Sequence, residues 1–100
     1  MFSQKPNVAI VGSTGAVGQT MVAILEQREF PVGTLYLLAS ERSAGKTVMF
    51  RKKAVLVKPL ESFDFSDVEI AFFSAGASVS AEHVARAVAS GCVVIDNSSH

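Results

Sequence analysis

The apolar run Val8-Ala9-Ile10-Val11 passes without a spacer into Gly12-Ser13-Thr14-Gly15-Ala16-Val17-Gly18, and a helix-patterned segment follows at once. Few chains can satisfy that junction in more than one way. Four apolar residues suffice for a buried parallel strand, and the glycines allow a sharp turn, close approach to a pyrophosphate and tight packing of the next helix on the sheet. The start of that helix brings unpaired N–H groups and the positive end of its dipole, so an anion is stabilised there without a basic side chain. The spacing is Gly-x-x-Gly-x-x-Gly, and its strand-before, helix-after context is what separates a dinucleotide seat from an ordinary turn. No Gly-Lys followed by Ser or Thr occurs, which excludes a Walker loop.

The rest of the chain alternates strand and helix patterns. Ala16 to about Arg28 carries Val17, Met21, Ile24 and Leu25 at helical spacing, with Gln19, Glu26 and Gln27 off that stripe. Phe30-Pro31-Val32-Gly33 ends the helix, and Thr34–Ala39 reads as a second strand. In Lys46–Lys58, Val48 and Phe50, then Val55 and Val57, alternate with polar positions. That pattern reads as a hairpin or pair of short edge strands joined by a solvated Arg51-Lys52-Lys53 link. Ile70–Phe73 is a buried-strand run ending at Ser74-Ala75-Gly76. Ser78 or Ser80 is expected to cap a helix through Val84, Ala85, Ala87 and Val88, closed by Gly91. Cys92–Ile95 forms a last strand before Asp96-Asn97-Ser98-Ser99.

Right-handed crossovers then give a parallel, doubly wound sheet with its ligand side at the carboxyl ends of the strands. Three small, polar strand ends converge there: Gly12–Gly18, Ser40–Ser43 and Ser74–Gly76, joined by Asn97. The second end chooses the coenzyme, because an acidic residue there holds a ribose 2′-hydroxyl whereas an arginine attracts a 2′-phosphate. The chain has Ser40-Glu41-Arg42-Ser43. Two hydroxyls and a guanidinium suit the phosphate, and a charge-assisted contact of about 1.5–3 kcal/mol is one to two decades of preference for NADP. Two alternatives stay open: Glu41 turned inward onto the ribose, or Glu41 and Arg42 as a solvated surface pair.

Composition limits the other classes. One hundred residues, 49% hydrophobic and 18% charged, describe one globular domain with a core. Nine basic and nine acidic residues cancel, against nucleic-acid binding by broad phosphate neutralisation. No apolar stretch has membrane-span length, and the opening segment is too short for a signal peptide, so a cytoplasmic protein is expected. The single cysteine, Cys92, provides no disulfide and no metal cluster; it reads as a buried core residue, not a nucleophile. His83 is expected on the surface, Met21 and Met49 in the core, and Phe63 and Phe65 as anchors before the Ile70 strand.

Four segments in order, Val8–Gly18, Leu38–Lys46, Phe73–Gly76 and Val94–Ser99, closely resemble the amino-terminal part of the aspartate-β-semialdehyde dehydrogenases. The match spans essentially the whole chain. The acyl-phosphate reductase of arginine synthesis, N-acetyl-glutamyl-phosphate reductase, shares the glycine turn, but Ser40–Lys46 and Asp96–Ser99 look more like the semialdehyde enzymes. The resemblance implies a Rossmann-like α/β domain over residues 1–100, binding NADP through Gly12, Ser13, Thr14, Gly15, Ala16, Val17, Gly18, Ser40, Arg42, Ser43, Ser74, Ala75, Gly76 and Asn97. It implies an enzyme that converts β-aspartyl phosphate and NADPH into aspartate semialdehyde, phosphate and NADP, for lysine, threonine and methionine synthesis. Family enzymes act through a cysteine thioester, a histidine acid/base and substrate-holding arginines. These groups, and the dimerisation domain of an expected homodimer or homotetramer, belong to sequence beyond this chain. No catalytic residue and no metal ligand is therefore assigned here. The alternative is a free-standing dinucleotide-binding module, which should cover its own sheet where a fragment exposes an apolar face.

Overall fold

The computed structural model describes residues 5–13, 15–74 and 77–96. Its strands are β1 (Val8–Val11), β2 (Leu35–Ala39), β3 (Thr47–Phe50), β4 (Lys53–Pro59), β5 (Ile70–Phe73) and β6 (Val93–Asp96); its helices are α1 (Ala16–Gln27) and α2 (Ala77–Ala89). The strands form one sheet in the order β3-β4-β2-β1-β5-β6. β1 pairs in parallel with both β2 and β5, β2 with β4, and β5 with β6; only β3 runs antiparallel, on β4. The doubly wound α/β architecture expected from the alternating pattern is therefore present.

Parallel strands covered on both faces need continuous apolar runs, and β1 is buried at all four positions. Its side chains divide between two cores. Val8 and Ile10 join Leu35, Leu37, Val57 and Ile70 under α1, with Val22 and Leu25 packed on them. Ala9 and Val11 face the other way, onto Leu38, Phe65, Ala71, Phe73 and Ala87 below α2. Phe65 lies edge-on to Phe63 and stacks on Phe73, at centroid distances of 5.0 and 6.3 Å, so the two aromatics before β5 anchor the crossover. Cys92 is buried, as the sequence suggests.

Five expectations need correction. Val17 and Ile24 are exposed, at 49% and 39%; α1 is rotated so that Gly18, Met21, Val22 and Leu25 face the sheet, because the Gly18 contact described below sets its orientation. Met49 is 61% exposed, since it shares with Leu56 the face of the hairpin that no described element covers. β4 is no edge strand but lies between β3 and β2, leaving β3 alone at the rim. α2 begins at Ala77, which places Ser78 and Ser80 inside its first turns. His83 is only 6% exposed, because its ring accepts a hydrogen bond from Arg86, itself folded inward on α2. Gly91, with φ of +93°, follows α2 in the expected left-handed role.

Two polar devices were not visible in the sequence. Asn7 gathers the amino ends of three strands: its Oδ1 accepts from the Thr34 amide at 2.9 Å, its Nδ2 donates to the Asp67 carbonyl at 2.8 Å, and its own amide donates to the Glu69 carboxylate at 3.1 Å. The second device is the β3–β4 turn. Arg51 and Lys52 have φ of +52° and +68°, a two-residue hairpin turn of the kind that favours Asn-Gly. Arg51 compensates its own backbone: its amide donates to Glu26 Oε2 at 2.7 Å, and its guanidinium donates to the Leu25 carbonyl at 3.1 Å and to the Phe30 carbonyl. The link is thus a latch onto the end of α1, with only its lysines solvated.

Lys52→Gly should raise stability by about 0.5–1 kcal/mol by removing left-handed strain, while Arg51→Ala should lower it by about 1–3 kcal/mol. Chemical denaturation of both variants checks the pair; equal and small effects would show that the latch carries no stability.

Candidate functional site

The carboxyl ends of β1 and β5 are adjacent, and the chain leaves them in opposite directions: β1 leads through α1 to β2 on one side, β5 through α2 to β6 on the other. Such a switch point opens a crevice above the sheet. Its floor is closed by Ser74, whose amide and hydroxyl both donate to the Val11 carbonyl, at 2.9 and 2.8 Å. The Ser74 hydroxyl hydrogen is committed to that bond, and its oxygen lone pairs remain as acceptors.

The glycine turn shows where its hydrogen-bond capacity goes. The Gly12 and Ser13 amides both donate to the Leu38 carbonyl at the end of β2, at 2.8 and 3.1 Å, and the Gly15 amide returns to the Gly12 carbonyl at 3.1 Å. The first helical bond runs from the Gln19 amide to the Gly15 carbonyl. Ala16, Val17 and Gly18 therefore form the first turn of α1, whose amides have no partner within the helix. Gly15 caps the helix without a side-chain bond, and the first turn carries no acidic residue. Three donors and a dipole end thus face one place, with no acidic side chain in the first turn to neutralise them.

Each glycine has a separate reason. Gly12 has φ of +86°, a left-handed turn that other residues resist. Gly18 packs so tightly that an added Cβ would sit 2.2 Å from the Gly12 carbonyl oxygen and 2.7 Å from the Ser13 Cα. Gly15 is different: its φ of −79° suits any residue, it is exposed, and an added Cβ would meet the Gly12 oxygen at an ordinary 3.5 Å. Nothing inside the fold requires glycine at 15, so the open space above it is the feature that suits a ligand's close approach.

The second strand end stands beside this turn. Ser40 follows β2, and its carbonyl accepts from the Ser43 and Ala44 amides at 2.9 and 3.0 Å, which winds Ser40–Ala44 into one compact turn. Ser40, Glu41 and Arg42 are exposed and Ser43 is half-buried. Among the described residues no ion pair joins Arg42 to Glu41, so the guanidinium is not held as a surface pair. Ser13 is placed less openly: it is 1% exposed, its amide is used by Leu38, and its buried hydroxyl has no partner among the described residues; the residue borders a groove of about 400 Å³ with Gln19, Lys46 and Thr47.

Of the residues singled out in the sequence, the structure brings Gly12, Ser13, Gly15, Ala16, Val17, Gly18, Ser40, Arg42, Ser43 and Ser74 to one edge of the sheet. Thr14, Ala75, Gly76 and Asn97 lie outside the described residues. Cys92 stands apart, its thiol donating to the Val68 carbonyl at 3.2 Å, and burial pushes its pKa up, opposite to what a nucleophile needs. No group of three or more metal-ligating side chains occurs among the described residues, and no helix among them is long and apolar enough to cross a membrane.

A mostly parallel sheet with a glycine turn and a bare helix start at its switch point defines a dinucleotide-binding α/β domain. Comparison with known proteins narrows the class. Residues 7–100 match the family model "Semialdehyde dehydrogenase, NAD binding domain", and the chain belongs to that family. It is 58% identical over 98 residues to an aspartate-semialdehyde dehydrogenase of Legionella pneumophila, covering 98% of this chain and 28% of that protein. It is 58% identical over 99 residues to aspartate-semialdehyde dehydrogenase 2 of Vibrio cholerae, covering 99% of this chain and 29% of that protein. The crystal structure of the Vibrio cholerae aspartate semialdehyde dehydrogenase II complexed with ASA superposes with a TM-score of 0.94 at 58% identity, over 97% of this chain and 32% of that one. The chain thus spans less than a third of the relatives it matches.

Gly18→Ala should destabilise the fold by about 2 kcal/mol or more, since backbone must move, whereas Gly15→Ala should stay within about 1 kcal/mol of the parent. Denaturant midpoints measure both. Equal losses would mean that the glycine at 15 is structural after all.

Proposed function

We propose that residues 1–100 are the NADP-holding portion of an aspartate-semialdehyde dehydrogenase, a homo-oligomeric cytoplasmic enzyme acting on a small-molecule substrate. The observation that carries the reading is the open first turn of α1 under an unoccluded Gly15, with the Arg42 guanidinium exposed one strand away. The α1 amides would hold the pyrophosphate, and Ser40, Arg42 and Ser43 the 2′-phosphate of the adenosine ribose. Ser74, Ala75, Gly76 and Asn97 would border the path toward the nicotinamide, with Thr14 beside the pyrophosphate. When bound, the coenzyme supplies the hydride for reductive dephosphorylation of β-aspartyl phosphate to the semialdehyde, with release of phosphate. Within this chain the contribution is binding and orientation, since the buried, hydrogen-bonded Cys92 is unsuited to attack an acyl phosphate.

The exposed apolar surface supports a place in a longer chain over a free-standing module. Val93 and Ile95 pair in register with Ile70 and Phe72 on the α1 side of the sheet, yet are 47% and 41% exposed, and Val17 and Ile24 of α1 are exposed as well. An autonomous module would bury such a face.

Arg42→Ala should weaken NADP binding about ten- to a hundredfold and leave NAD within about twofold, measured by calorimetric titration. Equal weakening of both coenzymes would remove the 2′-phosphate assignment, and a return of full NADP affinity in Arg42→Ala would assign selection to other residues.

A further inference from the structure

We infer that Arg86, on α2 and outside the coenzyme crevice, is a positioning residue that sets the preference for a 2′-phosphorylated ribose. The inference rests on the reading of Ser40–Ser43 as the 2′-phosphate site. Arg86 is a half-buried cation whose guanidinium nitrogens bond to no carboxylate among the described residues; they are spent on backbone and an imidazole instead. Nη1 donates to the Leu60 carbonyl at 3.2 Å and Nη2 to the Phe63 carbonyl at 2.5 Å, while the guanidinium lies 5.4 Å from the Phe65 ring centroid. Nη1 also meets His83 Nδ1 at 2.6 Å; a guanidinium only donates, so that nitrogen accepts, and the buried imidazole braces the fork from behind. One planar side chain thereby fixes two carbonyls of the segment between β4 and β5.

That segment is joined to the selecting turn. The Leu60 amide donates to the Ala39 carbonyl at 2.9 Å, the last rung on β2, and the next residue is Ser40, whose carbonyl organises the turn carrying Arg42. Leu60 thus has its carbonyl held by Arg86 and its amide holding the base of the phosphate turn. The glycine turn is fastened one residue earlier on β2, where the Gly12 and Ser13 amides bond to the Leu38 carbonyl, and it makes no bond to Leu60 among the described residues. Release of Leu60 therefore loosens the 2′-phosphate end of the site and leaves the pyrophosphate end in place. Contacts common to NAD and NADP persist, and those special to NADP weaken. The expected signature is a change in selectivity, which a general loss of packing does not produce.

The test is calorimetric titration of NADP⁺ and NAD⁺ into the parent chain, Arg86→Ala and Arg86→Lys. The parent should prefer NADP, and Arg86→Ala should lose about five- to tenfold of that preference, mainly through NADP. Arg86→Lys should lose as much, because one ammonium cannot bridge the two carbonyls. Equal weakening of both coenzymes in Arg86→Ala overturns the inference, as does full selectivity in Arg86→Lys, which would assign the effect to charge alone. A parent without preference sinks the Arg42 reading itself, whereas a selective parent with unchanged Arg86→Ala sinks only this inference. Should Arg86→Ala fail to fold, hydrogen exchange on the parent decides. Coupling is reciprocal, so saturation with NADP⁺ should slow exchange of the Leu60 amide more than saturation with NAD⁺, and equal protection contradicts the proposal.

Discussion

The contact between Gly18 and the Gly12 carbonyl governs the rest of the molecule. A Cβ at 18 would lie 2.2 Å from that oxygen, so the helix can approach the strand end this closely only with glycine there. Once α1 is seated, its rotation is fixed, Val22 and Leu25 meet Ile10 and Leu37, and one of the two cores closes. The same seating aims the first-turn amides into the crevice where β1 and β5 part. Packing and the placement of those amides are consequences of one backbone approach.

The two sides of the sheet are finished by different means. Below α2, an aromatic row from Tyr36 through Phe63 and Phe65 to Phe73 fills the space over β1 and β5. On the α1 side a single described helix covers β1 and its neighbours, and the β3–β4 hairpin is latched to the end of that helix by Arg51. The crossover from β2 to β4 therefore uses a turn and an antiparallel strand where a second helix would usually lie. This short solution keeps Ser40–Ala44 at the ligand edge, with its carbonyl-centred turn tied back through Gly45 to Val57.

Much of the fold was legible in the sequence because local pattern and tertiary demand agree. Val8–Val11 and Ile70–Phe73 are apolar throughout and are central strands, and the glycine turn reads the same way at every level. Failures occur where a polar bond overrides composition. His83 looks like a surface residue beside Glu82, yet Arg86 draws it inward; only the i, i+3 spacing of the two hinted at it. Arg51-Lys52 reads as a solvated turn because its bonds to Leu25 and Phe30 cross more than twenty residues of sequence. Val17 and Ile24 misled because periodicity gives a helix's stripe but not which edge of that stripe a glycine contact will select. Within the candidate site, residue types and strand ends were readable, whereas the division between spent and open amides was not, since it depends on both Gly12 and Ser13 turning to one carbonyl of β2.

The central claim is that the open amides at the start of α1 receive a coenzyme diphosphate. Titrating NADP⁺ into the ¹⁵N-labelled chain and following its amide resonances tests this most directly. Saturable shifts should be largest at Ala16, Val17 and Gly18, with the amides of Gly12 and Ser13, already bonded to Leu38, moving less. Saturation that leaves the three α1 amides unmoved, or no saturation at all, would contradict the account.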